Sequence, residues 1–395
     1  MLKFIIIICL LPVILLSESK IDDILKENNI DAQMQLLYYS IDKTNNDNDA
    51  YATALGGYLK YTTDSYHNIF SSIRFNTSNP IGTNHNKIKT SMFNNNKNGA
   101  SLNVNSEFYI AYRTSSGVIK VGNMILNTPM MNEDTTRIVP WSYQGITYTD
   151  NITKDLKAQL YHINAIRSNT SNQYKKESAS GEIGDSGVTL FALKYTGIPT
   201  THIQSYYYYA PELYSTFVGQ IDYDYISNFN KLICFGLQYF KSSDGGKYVD
   251  SNSKYGGDDI DLIALRMMLY FKDLEVSLNY SQNYGESGAI KGYGGLAKVY
   301  TSSMIANGRG NFKPETWMIK STYDLPFSSY DSEVAIRLTK TKFHEIEGDD
   351  FLAYYLHFKH FFNTNTSLYL RYENINYSTN KNNAQYFRAI AKYQF

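Results

Sequence analysis

The chain has 395 residues, and its 37 Lys and Arg balance 37 Asp and Glu, so the formal net charge is zero. That balance excludes a nucleic-acid partner, which needs a basic surface. The 37 Tyr and 20 Phe exclude a disordered chain, and two Cys, Cys9 and Cys234, cannot supply a disulfide framework.

Residues 1–19 read as a secretory signal. Lys3 gives a positive start, residues 4–16 form an apolar run, and Ser17 and Ser19 supply small residues at a cleavage site. Residues 20–30 form a short periplasmic N-terminal segment, in which Ile21, Ile24 and Leu25 fit a turn or two of helix. From residue 31 onward the pattern alternates with period two, punctuated by Asn, Ser, Asp and Gly. The 18 expected strands are 31–41, 50–62, 67–76, 106–114, 116–123, 141–149, 155–166, 187–196, 201–210, 214–225, 230–241, 259–271, 274–284, 316–323, 332–341, 351–361, 366–377 and 384–395. Most have the length at which a tilted strand crosses a bilayer. No stretch after the leader is a run of about 20 apolar residues, so a membrane-spanning fold must be a β-barrel.

Every second connection is short: 63–66, 115, 151–154, 197–200, 227–229, 273, 325–331 and 363–365. The intervening ones are mostly longer: 77–105, 124–140, 167–186, 242–258 and 285–315. Short periplasmic turns alternating with long external loops, together with an even strand count, are the pattern of bacterial outer-membrane barrels. The expected fold is all-β: a transmembrane antiparallel barrel of 18 strands over 31–395, with the third external loop, 124–140, folded inward.

Alternation fixes the facing. Counting back from Phe395, the positions Tyr393, Ala391, Ala389 and Phe387 share one face, and Lys392, Ile390, Arg388 and Tyr386 the other. A cation facing lipid at mid-depth costs about 2–4 kcal/mol, so Arg388 and Lys392 turn to the lumen. The same reasoning places Arg74, Lys120, Arg266, Lys320, Arg337, Lys359 and Arg371 inside as a basic wall, with Glu107, Glu275 and Glu373 as lumen acids. Strand-end tyrosines suit interfacial girdles. An 18-stranded barrel is wide enough for an aqueous channel and needs no packed interior.

Residues 121–145 carry a family resemblance. Val121-Gly122-Asn123, Thr128-Pro129, Asn132, Asp134, Arg137, Val139-Pro140-Trp141 and Gly145 resemble the signature of OprD-type outer-membrane porins, and 51–61 resembles that family's second strand. The resemblance implies a barrel whose third loop forms a narrow eyelet, faced by a ladder of arginines and lysines, through which small hydrophilic, often carboxylate-bearing, nutrients diffuse. On this chain the eyelet loop would present Pro129, Glu133, Asp134 and Arg137. The family commonly has Arg-Gln after the strand-five glycine, whereas this chain has Asn123 and Met124.

The expected function is an outer-membrane porin passing carboxylates or amino acids. Arg suits carboxylates because its planar fork binds both oxygens. The partners would be outer-membrane lipid and lipopolysaccharide, the barrel-assembly machinery reading the C-terminal Phe395, and small solutes, with the protein a monomer or homotrimer. No cofactor or metal is expected. His357 and His360 fall on opposite faces of a strand. Asp47 with Asp49, and Asp258, Asp259 with Asp261, lack the glycine of an EF-hand loop. The run Gly292, Tyr293, Gly294, Gly295 lacks the context of a phosphate loop and reads as a flexible part of its external loop. One competing reading is a barrel enzyme, a protease or lipase, using Ser142, His162 and Asp150. Another is an adhesin or receptor acting through its external loops.

Overall fold

The computed structural model describes residues 29–44, 49–178, 181–182, 186–211, 213–226, 232–244, 260–285, 292–305, 313–326, 331–344, 349–379 and 382–395. The expected signal at 1–19, the helical turn at 21–25, and Asp47, Asp258 and Asp259 lie outside these residues.

Eighteen strands form one antiparallel sheet closed on itself. The first seven are β1 Ile30–Lys43, β2 Ala50–Thr62, β3 Ile69–His85, β4 Leu102–Arg113, β5 Gly117–Met124, β6 Ser142–Asn151 and β7 Leu156–Arg167. A small hairpin, β8 Glu177–Ser178 with β9 Gly181–Glu182, decorates the next loop outside the barrel sheet. The barrel continues with β10 Val188–Tyr195, β11 Thr201–Tyr209, β12 Tyr214–Ile226, β13 Leu232–Asp244, β14 Asp261–Phe271 and β15 Leu274–Asn283. It ends with β16 Pro314–Asp324, β17 Ser332–Phe343, β18 Phe351–Phe361, β19 Thr366–Tyr377 and β20 Ala384–Gln394. Closure comes from β1 against β20, in register from Gln33↔Gln394 to Lys43↔Ala384.

β3 runs much further than the expected 67–76. The segment Asn76–Pro80 has the composition of a turn, yet it continues the strand because β2 pairs with it as far as His85. Beyond Ser78 it has no partner on the β4 side, and there Pro80 is tolerated for want of a ladder bond to break.

The outer surface follows the alternation. Phe108, Ile110, Val121, Ile146, Leu160, Ile263, Leu265, Leu278, Ile336, Leu338 and Leu356 are all exposed, the arrangement lipid requires. The interior departs from the expected open cylinder. Inward side chains of β6, β7 and β10–β14 form a dry cluster with the loop residues Leu126, Met130, Met131, Trp141, Tyr293 and Ala297. A second cluster joins Leu37, Tyr39, Ile41 and Ile390 of the wall to Met92 and Phe93 from the loop after β3 and to Ile138. A third, smaller cluster sets Phe351, Ala353 and Ile375 of the wall against Ile305 of the loop after β15. Tyrosine accounts for much of the difference. Alongside those at the rims, a second set (Tyr143, Tyr161, Tyr206, Tyr208 and Tyr214) turns inward and is buried.

Candidate functional site

Two loop segments meet against the inward-facing wall, 125–141 after β5 and the described residues 292–305 after β15. They are stitched together by backbone. Tyr293 N–H donates to Met130 C=O (2.8 Å), Lys298 N–H to Pro129 C=O (3.0 Å) and Asn132 N–H to Gly294 C=O (3.4 Å). The Asn132 amide donates to Leu296 C=O (2.6 Å), and its oxygen accepts from Leu296 N–H (3.2 Å). The wall supports this joint from below. Tyr143 OH donates to both Asn132 C=O (3.0 Å) and Gly294 C=O (2.9 Å), and Tyr208 OH to Thr128 Oγ1 (2.9 Å). The glycine run therefore has a packing role rather than a loose one. Gly295 has φ +76°, and a Cβ there would stand 2.4 Å from Asn132 O. Pro129 likewise acts through its carbonyl and its fixed backbone.

The eyelet-loop charges divide. Asp134 accepts from Thr136 N–H (3.2 Å) and Thr136 OH (2.6 Å), an internal turn. Arg137 does not bridge to it. Its guanidinium donates to Ser91 C=O (3.0 Å) and Thr136 C=O (3.0 Å) and lies over the Tyr39 ring at 5.0 Å. Desolvation inside the barrel, then the neighbouring Arg388, pull Arg137 down to about 10. Glu133 lines a cavity of about 380 Å³ between the two loops, with Lys298 on the opposite side. Burial lowers Lys298 from its ordinary value.

The nine expected basic residues do not form one wall. Lys320, Arg337, Lys359, Arg371, Arg388 and Lys392 do come together on β16–β20, the register setting Lys320 beside Arg337 and Arg371 beside Arg388. Arg74, Lys120 and Arg266 stand apart on β3, β5 and β14. Arg74 lies over Tyr58 at 3.7 Å, and Lys120 over Tyr109 at 4.5 Å. Arg266 is paired to Asp222 at 2.7 Å beneath Tyr300 of the long loop.

Tyrosines interleave the grouped cations, a feature the sequence reading assigned to girdles alone. Arg337 lies 4.6 Å from the Tyr355 ring, and Arg371 lies 5.2 Å from Tyr369 and donates to Tyr355 OH (3.0 Å). Arg388 lies 4.4 Å from Tyr39, the ring that Arg137 also approaches. Such contacts hold a guanidinium without neutralising it. Among the described residues, Lys320 is the one member of this group with a carboxylate partner, Glu275 at 2.8 Å. Arg388 is 1% exposed, and its Nε and one terminal nitrogen find no protein partner.

The acids serve other ends. Glu107 pairs with Lys60 at 3.0 Å, and Glu373, fully buried, accepts from Ile305 N–H at 2.5 Å, tying the long loop to β19. His357 pairs with Glu333 at 3.1 Å within the wall, while His360 bonds Ser332 (2.7 Å). The residues of the enzyme reading are scattered. Ser142 is buried against Tyr174 OH (2.9 Å), whereas exposed His162 bonds Thr189 and Asp150 bonds Tyr148. Arg167, which sequence reasoning missed, fastens the inner loop. At 1% exposure it donates to the carbonyls of Pro140 (2.9 Å), Ser168 (3.1 Å) and Ser171 (3.2 Å). Its place at the end of a strand beside a long loop was the available signal.

A family model described as outer membrane porin, OprD family, matches residues 78–331. No curated protein matches the chain by sequence. Among solved structures, OccAB1 of Acinetobacter baumannii aligns with a TM-score of 0.79 at 15% identity, covering 93% of this chain and 96% of that one. OccK8 (OprE) of Pseudomonas aeruginosa aligns at 0.76 with 14% identity, covering 93% and 98%. OpdK of Pseudomonas aeruginosa, solved with vanillate, aligns at 0.73 with 14% identity over the same shares. At these identities the structural likeness is one of fold.

Proposed function

This chain belongs to the OprD family of outer membrane porins, channels for small solutes in the bacterial outer membrane, and from that premise we propose that it selects small carboxylate-bearing solutes at a constriction between the two infolded loops and the β16–β20 wall. The observation that carries the reading is the grouping of Arg337, Lys359, Arg371 and Lys392 on β17–β20, half-buried and without an ion-pair partner among the described residues, with the fully buried Arg388 adding its charge beside Arg371. The half-buried guanidiniums of Arg337 and Arg371, held by aromatic rings rather than by carboxylates, have donors to offer a passing carboxylate. Arg388 lies near the middle of β20, while Lys359 and Lys392 lie toward the ends of β18 and β20 that carry the short turn and the C-terminus. An anion could therefore be handed downward among several cations without being trapped by one. Glu133 and Lys298 across the cavity supply the opposing field, and Glu133 could receive the ammonium of an amino acid. The presence of vanillate, a carboxylate, in the OpdK structure is consistent with this substrate class.

Liposome swelling tests the proposal. Small carboxylates and amino acids should enter faster than neutral sugars of equal size. Equal rates would reject the selectivity while leaving the channel intact, and the absence of stepwise conductance in planar bilayers would count against passive diffusion itself.

A further inference from the structure

The lipid-facing surface carries a groove of about 850 Å³ across β12–β17, lined almost wholly by apolar side chains. Its course follows the register. Ile221, Leu237, Leu265, Tyr280, Trp317 and Lys340 are successive cross-strand partners on six adjacent strands. A second row, two residues along each strand, runs parallel to it from Tyr223 to Leu338. The groove lies between the two rows. Five strand-to-strand steps make it about 24 Å long. It runs at right angles to strands that tilt by roughly 40° in such barrels, so it rises by about 15 Å, which is the hydrocarbon depth of one leaflet.

The direction of rise is set by the strands. Ile221 sits near the middle of Tyr214–Ile226, whereas Lys340 sits close to the external end of Ser332–Phe343. The groove thus spans the outer leaflet and ends at its headgroup level. Lys340 faces outward there between Trp317 and Leu352. It has no carboxylate partner among the described residues. The nearby acid, Glu315, is engaged with the Trp317 indole N–H (3.0 Å) and with His344 (3.1 Å). An apolar channel of leaflet depth topped by an unneutralised cation matches an acyl chain joined to an anionic head.

We propose that this groove is a binding site for the phosphorylated, acylated glycolipid of the outer leaflet, lipopolysaccharide, with an acyl chain in the channel and a phosphate on Lys340. Lysine binds phosphate as a point charge, and a cation at the interface attracts an anionic lipid.

Native mass spectrometry of the detergent-solubilised full chain, titrated with purified lipid A, tests this. The wild type should retain lipid A at concentrations at which Lys340→Glu and Lys340→Gln retain at least tenfold less. Leu278→Phe, which narrows the channel, should weaken retention as well. Unchanged bilayer conductance and heat-modifiable gel mobility will show that each variant is folded. Equal retention by the wild type and both Lys340 variants would overturn the proposal. So would stronger retention of phosphatidylglycerol than of lipid A. A dimer mass that disappears in the same variants would assign the groove instead to a second copy of the chain.

Discussion

Arg388→Gln isolates one of the cations on which the proposed selectivity rests. The substitution keeps a long polar side chain and removes one charge from a site that is 1% exposed. Being buried, Arg388 acts on a passing carboxylate through its charge, worth about 1.7 kcal/mol across roughly 10 Å at an effective dielectric of about 20, and with Arg371 and Arg137 still nearby the loss is set at about 1.5 kcal/mol. That corresponds to roughly a tenfold fall in anion preference. If the wild-type channel favours anions about tenfold, its reversal potential in a tenfold salt gradient lies on the order of 40 mV from zero, given a slope of about 59 mV per decade. Arg388→Gln should bring it close to zero, and Arg388→Glu should carry it past zero to cation preference. The sign of the stability change gives an independent check. A buried guanidinium with two nitrogens lacking protein partners costs folding free energy, so its removal should leave the thermal midpoint unchanged or higher. A reversal potential within a few millivolts of wild type would refute the reasoning. A lowered midpoint with unchanged selectivity would show that Arg388 serves to hold the wall.

Three further substitutions probe the loops and the wall. Tyr143→Phe deprives Asn132 C=O and Gly294 C=O of a donor, so the joint between the infolded loops should loosen by about 1–2 kcal/mol and single-channel current should become noisier, with a higher mean conductance. Arg167→Met strips a donor from the Pro140 carbonyl at the end of the inner loop and from the Ser168 and Ser171 carbonyls in the loop after β7. We expect about 3 kcal/mol of destabilisation, read as a lower unfolding temperature of the heat-modifiable band and faster proteolysis near Pro140. Asp222→Asn leaves Arg266 without its carboxylate and weakens the Tyr300 contact, at a cost of about 2 kcal/mol. The double change Asp222→Asn with Arg266→Gln should recover part of that loss, whereas a strictly additive result would mean that the pair contributes little.

Architecture was far more legible than chemistry. Period-two alternation with a forbidden lipid face determines strand and side together, which is why β2, β18 and β19 appear where the pattern placed them. β3 escaped because Asn76–Pro80 carries turn composition, and only the neighbouring β2 edge keeps it extended. Alternation also assigns a residue to the inside without saying what it meets there. Arg266 and Arg388 look alike in sequence. One is matched by Asp222 across the sheet, and the other faces aromatic rings. That difference depends on register between strands distant in the chain, and on loops whose path no local pattern records. The run Tyr206–Tyr209 shows both sides of the problem. In the structure Tyr207 and Tyr209 are exposed and Tyr206 and Tyr208 buried, as strand parity requires, but nothing local shows that Tyr208 props up Thr128.

The seam between β1 and β20 has a consequence for assembly. Its contacts, among them Phe395 N–H to Ala32 C=O (3.0 Å) and the Gln33 side-chain amide N–H to Gln394 Oε1 (2.9 Å), join residues about as far apart in the chain as any two can be. Until they form, both flanking strands present open edges, which invite pairing with other molecules. The ring cannot be completed piecemeal from its first hairpins, and the largest loop-closure entropy falls on the final step. Whatever escorts the unfinished chain must therefore shield two edges at once and let go only when they have found each other.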